Sequence, residues 1–330
     1  MDEKQPRWKQ VLRESRALRR WNLTSLGLSL PLLFVGYYYY GSSALRLAVI
    51  SALTAVACEA VAGRLVLRRR TVDDWNAVVI GLWIALMLPA GCSPWLGVTG
   101  AAFAVLVVKI PFGGTQSAPF IPAAAGFAFL TVCFPERVFA YAPSAFVDPI
   151  DSRPLAALLR GGQFTPRNWN ISSILLGQTV GPMGTGGILM IAVVLLVMLL
   201  LHGRRSAALA SFGFLAICAL TAYLFPRVEN NRIASVWMEL CSGSLAFAAV
   251  YLLPDPASLP ARWFTRLGYG AMAGLLAMLL RYLGSYDENI CFALLLANAS
   301  LPLLERARAE LRHIRAERAE KKGGGVNAKA

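Results

Sequence analysis

Along most of the chain, apolar stretches long enough for membrane spans alternate with short clusters of arginine and lysine. The pattern predicts helical spans at 22–41, 44–66, 76–91 and 94–110, and again at 181–201, 206–225, 233–253, 264–283 and 290–304. The stretch from Lys109 to Gly126 breaks it, because Gly113, Gly114, Pro111, Pro119 and Pro122 interrupt otherwise apolar sequence. The run from Pro119 to Phe134 has 16 residues, about 24 Å as a helix and short of the ~30 Å hydrocarbon core. A second short segment, 290–304, follows Gly284-Ser-Tyr-Asp-Glu-Asn289. Short or Gly/Pro-interrupted segments at corresponding places in two halves point to a substrate or ion site at mid-membrane. The expected fold is an all-α polytopic membrane protein of about ten transmembrane helices. Five plus five spans give two inverted five-helix repeats, with the two broken, short helices meeting at the centre.

Composition supports this class. Of 330 residues 57% are hydrophobic and 15% charged, more apolar surface than one soluble core can hide. The net charge of +14 belongs to cytoplasmic ends of spans rather than to a nucleic-acid partner, since its basic residues cluster at 4–20, 64–70, 204–205, 262–266 and 306–322. Both termini are therefore expected in the cytoplasm. The chain divides into a basic N-terminal segment (1–21), a first repeat (22–135), an outer-face loop (136–180), a second repeat (181–304) and a charged tail (305–330). The first 20 residues are charged and polar, so no cleavable signal is expected. Six cysteines show no C-x-x-C spacing, and Cys58, Cys133, Cys218 and Cys291 read as small buried hydrophobes.

Ionisable residues within spans are costly and are functional candidates by default. Glu59 lies in span two, Glu239 in span eight, Arg281 at the end of span nine, and Asp287 and Glu288 just before span ten. Lys109 precedes the first break, and Asp255 stands between Pro254 and Pro256, where ordinary helical backbone is prevented and carbonyls are left for a cation. Glu59, Asp255 and Glu288 are the ion-path candidates. For Lys109, Arg281 and Glu59 the alternative is a side chain that reaches to an interface, and Glu239 sits nearer the outer interface than the middle. Gly113, Gly114, Thr115 and Gln116 form a turn whose N–H groups suit a phosphate or flavin ring; tight helix packing explains the same residues.

Phe112-Gly-Gly-Thr-Gln-Ser-Ala-Pro-Phe-Ile-Pro-Ala123 resembles the GGxGxNxFNPA stretch of the RnfD/NqrB family. The agreement continues in order through 71–82, Leu86-Met-Leu-Pro89, Leu175-Leu-Gly-Gln178, Ser242-Gly-Ser244, Pro254-Asp-Pro256, 281–288 and 292–299. The resemblance implies an RnfD-type membrane subunit of an ion-pumping electron-transport complex, with a ten-span inverted-repeat fold similar to urea and ammonium channels. It also implies electron transfer of the ferredoxin/NAD type coupled to Na⁺ or H⁺ movement, in a bacterial inner membrane and with the other Rnf-type subunits as partners. Family members carry FMN on a threonine just before Pro-Leu. Here Arg153 precedes Pro154-Leu155, and a guanidinium has no hydroxyl for a phosphoester, so covalent FMN is not expected at that position unless Ser152 replaces it. Any FMN or riboflavin would be held non-covalently. Ala118 and Ile121 stand where the family motif has asparagines. The alternative function is a diverged channel or transporter of the same fold without redox activity.

Overall fold

The computed structural model describes residues 7–66, 75–115, 117–141, 154–160, 171–202, 205–228, 231–256, 258–260, 262–284, 286, 288–303, 306 and 310. All regular structure among them is helical. Helix α1 (Arg7–Tyr40) is 34 residues long and carries Pro31 inside it. The basic segment expected to end at residue 21 is thus continuous with the first span. No glycine or proline separates them, and Trp21 and Asn22 at the proposed boundary are buried, Asn22 accepting a hydrogen bond from Asn76 Nδ2.

Helix α2 (Ser42–Leu65) follows Gly41, whose φ of 67° turns the chain after Tyr40. Helices α3 (Asn76–Met87) and α4 (Pro94–Phe103) come next, and α4 continues through a π segment, Ala104–Lys109. Helix α5 (Pro122–Cys133) has 12 residues, shorter even than the 119–134 run that the sequence predicts, because Pro122 opens it and Ile121 is extended. Three short helices follow: α6 (Pro135–Val138), α7 (Leu155–Arg160) and α8 (Ile171–Leu176).

In the second half, α9 spans Ile188–His202 and α10 spans Arg205–Leu224. The predicted start of span six at 181 is wrong, and glycine content explains why. Residues 181–187 leave helical geometry and lie against the end of α3, with Gly184 N donating to Leu86 O at 2.9 Å and Met183 N to Leu88 O at 3.1 Å. The predicted continuous span at 233–253 is also broken. Helix α11 (Arg232–Cys241) and helix α12 (Leu245–Phe247, prolonged by a π segment Ala248–Leu252) are bent 67° apart. Ser242 is extended and Gly243 has a φ of 62°, a left-handed conformation that glycine takes without steric cost. Helix α13 (Trp263–Leu283) and helix α14 (Ile290–Leu303) complete the described helices.

Helices α2 and α13 are long and apolar enough to cross a bilayer, and the bent α11–α12 pair makes a third if counted as one span; α3, α4 with its π segment, α5 and α14 are shorter apolar helices. Large apolar side chains such as Phe34, Leu53, Val61, Leu196 and Leu275 face outward, as expected of surfaces in contact with lipid rather than water.

Within the molecule, α2 packs on α3 and α4, and α10 packs on α11 and α13. Small residues allow these approaches. A Cβ added at Gly81 would lie 2.5 Å from the Ser51 carbonyl oxygen, and one at Gly270 would run into the Ala210 carbonyl. The two halves share one core. Tyr251, on the second π segment, donates its hydroxyl to Leu28 O at 2.7 Å, and its ring meets Trp83 edge-on at 6.0 Å. Trp83 in turn donates to Ser29 Oγ at 3.1 Å. Each buried aromatic thereby keeps a partner for its polar end.

Candidate functional site: two buried charge clusters

The first cluster joins α2 to the end of α4. Glu59 projects from α2, and Lys109 is the last residue of the π segment. Lys109 Nζ lies 2.6 Å from Glu59 Oε1, and both side chains have 0% exposure. Neither reaches an interface, so the snorkelling alternative fails for this pair. The reason is packing: Glu59 is on the face of α2 that also buries Ala48, Ser51 and Ala55, the face covered by α3 and α4. A π turn adds one residue to the local hydrogen-bonded ring, with Ile110 N donating to Val105 O at 2.9 Å, and rotates the residues that follow.

The chain leaves Lys109 through two consecutive left-handed glycines, Gly113 (φ 92°) and Gly114 (φ 99°). Gly113 N donates to Ile110 O at 3.0 Å and Gly114 N to Lys109 O at 3.1 Å. Both amides close the helix end, so neither is presented to a phosphate or flavin. Thr115 follows, half-buried; Gln116 and Arg153, like Ser152 and Asp287, lie outside the described residues.

The second cluster lies at the break between α11 and α12. Glu239 is buried near the end of α11, with Arg281 Nε 3.3 Å from Oε2 and Arg227 Nη1 3.5 Å from Oε1. Arg281 also donates to the Glu239 carbonyl (Nη1, 3.2 Å), to the Ser242 carbonyl (Nη2, 2.9 Å) and to Ser242 Oγ. These are carbonyls at the C-terminal end of α11, where a cation also meets the negative end of the helix dipole. Arg227 donates to the Arg281 carbonyl at 2.8 Å and covers the Tyr282 ring at 3.9 Å. Arg281 is 6% exposed and the Glu239 carboxylate 1% exposed, so neither side chain reaches outward from the bundle.

Glu288 serves the other side of that break. Its Oε2 accepts from Ser244 N at 2.9 Å and from the Ser244 hydroxyl, filling the N-terminal end of α12 as a capping carboxylate does. A Cβ at Gly243 would strike the Glu288 carboxylate. Asn289 Nδ2 donates to Leu280 O at 2.9 Å, which ties the end of α13 to the start of α14. Cys291 Sγ lies 3.8 Å from Met87 Sδ, and Tyr286 stacks 5.7 Å from Phe139. The second interruption therefore meets the end of α3 as well as Ser242–Ser244.

Asp255 is nearly buried just after the second π segment. Its carbonyl accepts from Ser258 N at 3.1 Å, and its own N donates to Leu252 O at 3.4 Å. Tyr269 donates to Asn298 Oδ1, linking α13 to α14.

Of the residues that the sequence singles out, the structure joins Glu59 to Lys109, and Glu239 to Arg281, and places Glu288 on the same break as the second pair. It adds Arg227, Ser242 and Ser244, to which sequence reasoning gives no role. The Ser-Gly-Ser sequence is the available signal for the two serines; nothing local marks Arg227.

Buried ion pairs beside interrupted apolar helices mark a helical membrane protein with charged groups held in its interior. The chain belongs to the NQR2, RnfD, RnfE family, whose sequence profile matches residues 8–312. It is 31% identical to the D subunit of the Na⁺-translocating ferredoxin:NAD⁺ oxidoreductase complex of Acetobacterium woodii, over 84% of this chain and 85% of that one. Against the D subunits of the ion-translocating oxidoreductase complexes of Klebsiella pneumoniae and Salmonella paratyphi A it is 30% and 28% identical. Each of these matches covers 88% of this chain, and 93% and 92% of those chains respectively.

Proposed function

We propose that the chain is the RnfD-type membrane subunit of a complex that couples ferredoxin/NAD-type electron transfer to Na⁺ or H⁺ translocation across the bacterial inner membrane. The single observation that carries this is the family match over residues 8–312, with relatives of that description aligned along nearly their full length. The other subunits of such a complex are its partners, and both termini face the cytoplasm.

The fold is read as ten spans in two inverted five-helix repeats. Supporting it is a common order of partners: α2 on α3 and α4 in one half, α10 on α11 and α13 in the other. In each half the fourth span ends in a buried cation, Lys109 or Arg281, followed by a glycine-containing interruption. Cysteine-accessibility labelling of loops from both sides of oriented vesicles tests the opposite insertion of the halves.

The ion path runs by Glu59, Asp255 and Glu288, carboxylates held inside the protein beside π turns or helix breaks. Such positions lower the cost of bringing a cation through the hydrocarbon layer. A flavin would supply one- and two-electron transfer. The amides of Gly113 and Gly114 are already engaged, so these two residues do not form a flavin cradle, and the electron carriers are assigned to partner subunits. The observation favouring a channel or transporter without redox chemistry is Arg153 in place of the flavin-bearing threonine. Purification from the native host decides between them. Co-purification with redox subunits and electron-driven ²²Na⁺ or H⁺ uptake supports the complex; an isolated chain with electron-independent flux supports the channel.

A further inference from the structure

We propose that the cytoplasmic end of α1 carries a docking stripe, Lys9, Arg13, Arg16 and Arg20, for an acidic face of a water-soluble subunit of the same complex. It depends on the electron-transfer reading and on a cytoplasmic N-terminus, and it adds where on the chain and by what chemistry such a subunit is held.

Helix α1 runs unbroken from Arg7 to Tyr40. The 20 residues from Trp21 to Tyr40 make about 30 Å of helix, the thickness of the hydrocarbon core. Trp21 and Asn22 are buried, and Asn22 meets Asn76 at the start of α3. The 14 residues from Arg7 to Arg20 therefore continue the same axis about 21 Å past the hydrocarbon. A helix lying along the headgroups would need a break near residue 21. None interrupts α1 there, and its one proline, Pro31, is inside the span.

Helical register sorts the charges. At 3.6 residues per turn, positions 9, 13, 16 and 20 fall within about 60° of one another, and all four are Lys or Arg. Glu14, the single acidic residue from 7 to 22, falls about 130° away from that stripe. Val11 and Leu18 fall on the opposite side. Arg16 and Arg20 are exposed, whereas Leu18 is half-buried. Orienting a span requires only that basic residues lie near its cytoplasmic end; it does not gather them on one face.

Distance decides between a membrane and a protein as the anion. Arg20 lies at the edge of the hydrocarbon, Arg16 about 8 Å beyond Trp21 along the axis, Arg13 about 12 Å and Lys9 about 18 Å. The headgroup layer is about 6 Å deep, and the pull of anionic lipid fades within a Debye length of about 8 Å. Lipid thus reaches the lower part of the stripe but not Lys9. A protein surface bearing carboxylates and laid along the helix meets all four positions, and such complementary charge steers association and fixes register.

The test uses the complex purified in detergent from the native host through a tag on this chain, with water-soluble redox subunits counted against integral ones by mass spectrometry. Lys9→Glu/Arg13→Glu is expected to lower that ratio at least fivefold at about 0.1 M KCl while the integral subunits stay assembled. The off-stripe pair Arg7→Glu/Arg19→Glu, with the same change in charge, is expected to keep it within twofold. A water-soluble carbodiimide, which joins amines to carboxylates, is expected to link wild-type Lys9 to an Asp or Glu of a soluble subunit. Equal loss in the two pairs, an undiminished ratio in Lys9→Glu/Arg13→Glu, or no link from Lys9 to a soluble subunit overturns the proposal. Loss of co-purifying phosphatidylglycerol in Arg16→Gln/Arg20→Gln with the soluble subunits retained assigns the face to the membrane and also overturns it. Should either reversed pair fail to insert, the same pairs changed to Gln decide by the same comparison, with a loss of at least twofold confined to Lys9→Gln/Arg13→Gln supporting the stripe and any other result overturning it. A wild-type chain that purifies without any redox subunit instead defeats the electron-transfer reading.

Discussion

Arg281 and Glu288 stand on opposite sides of one helix interruption and hold the two ends of another. Arg281 Nη2 donates to the Ser242 carbonyl at 2.9 Å, and Glu288 Oε2 accepts from Ser244 N at 2.9 Å. The cation takes the carbonyl end of α11 and the anion takes the amide end of α12, each matching the sign of the helix dipole it meets. A bend of 67° in mid-span would otherwise leave backbone donors and acceptors without partners in a layer that contains no water.

Arg281→Met should therefore leave Glu239 and the Ser242 carbonyl under-satisfied. The expected loss is about 3–5 kcal/mol, the range for breaking a buried ion pair from one side. Thermal unfolding of the detergent-solubilised chain, followed by fluorescence-detected size exclusion, measures it. Arg281→Lys should recover only part, since an ammonium does not reproduce the fork.

Gly243→Ala meets two obstacles at one residue: a φ of 62°, and a Cβ placed on the Glu288 carboxylate. A destabilisation of about 1–3 kcal/mol is expected from the backbone conformation alone. Pairing it with Glu288→Ala removes the clash but not the strain. The double variant should therefore be less destabilised than the sum of the singles in the same unfolding assay.

Tyr251→Phe tests the seam between the halves. Loss of the hydroxyl leaves the Leu28 carbonyl without that donor, and about 1–2 kcal/mol of stability should go with it. Insertion and span count should not change, as judged by protease protection in vesicles.

Asp255→Asn keeps the size of the side chain and removes its charge. Cation uptake by reconstituted complexes should fall several-fold while electron transfer continues; uptake equal to wild type removes Asp255 from the path.

In a denaturing gel, the chain from its native host should show no flavin fluorescence if, as the family resemblance implies, Arg153 stands in place of a flavin-bearing threonine. Fluorescence that disappears in Ser152→Ala would instead place the linkage one residue earlier.

Much of the helix inventory can be read from the chain directly. Apolar runs and basic clusters locate α2, α10, α13 and α14 within a residue or two, because solvation by lipid acts on each segment separately and leaves a local signature. Proline and glycine mark the first interruption and shorten α5 for the same reason: their backbone preferences act over a few residues. The sequence also determines that Glu59, Lys109, Glu239 and Arg281 are charges in apolar surroundings. It does not determine whom they meet. Glu59 and Lys109 are 50 residues apart in sequence, and whether a charged side chain at a helix end turns to the interface or inward depends on which neighbour covers that face. Packing of α2 against α4 decided the first pair; the bend at Gly243 decided the second, by exposing carbonyls within reach of Arg281. Pairing across distant segments is a property of the assembled bundle, since the energy of a buried charge is set by its surroundings and not by its own place in the chain.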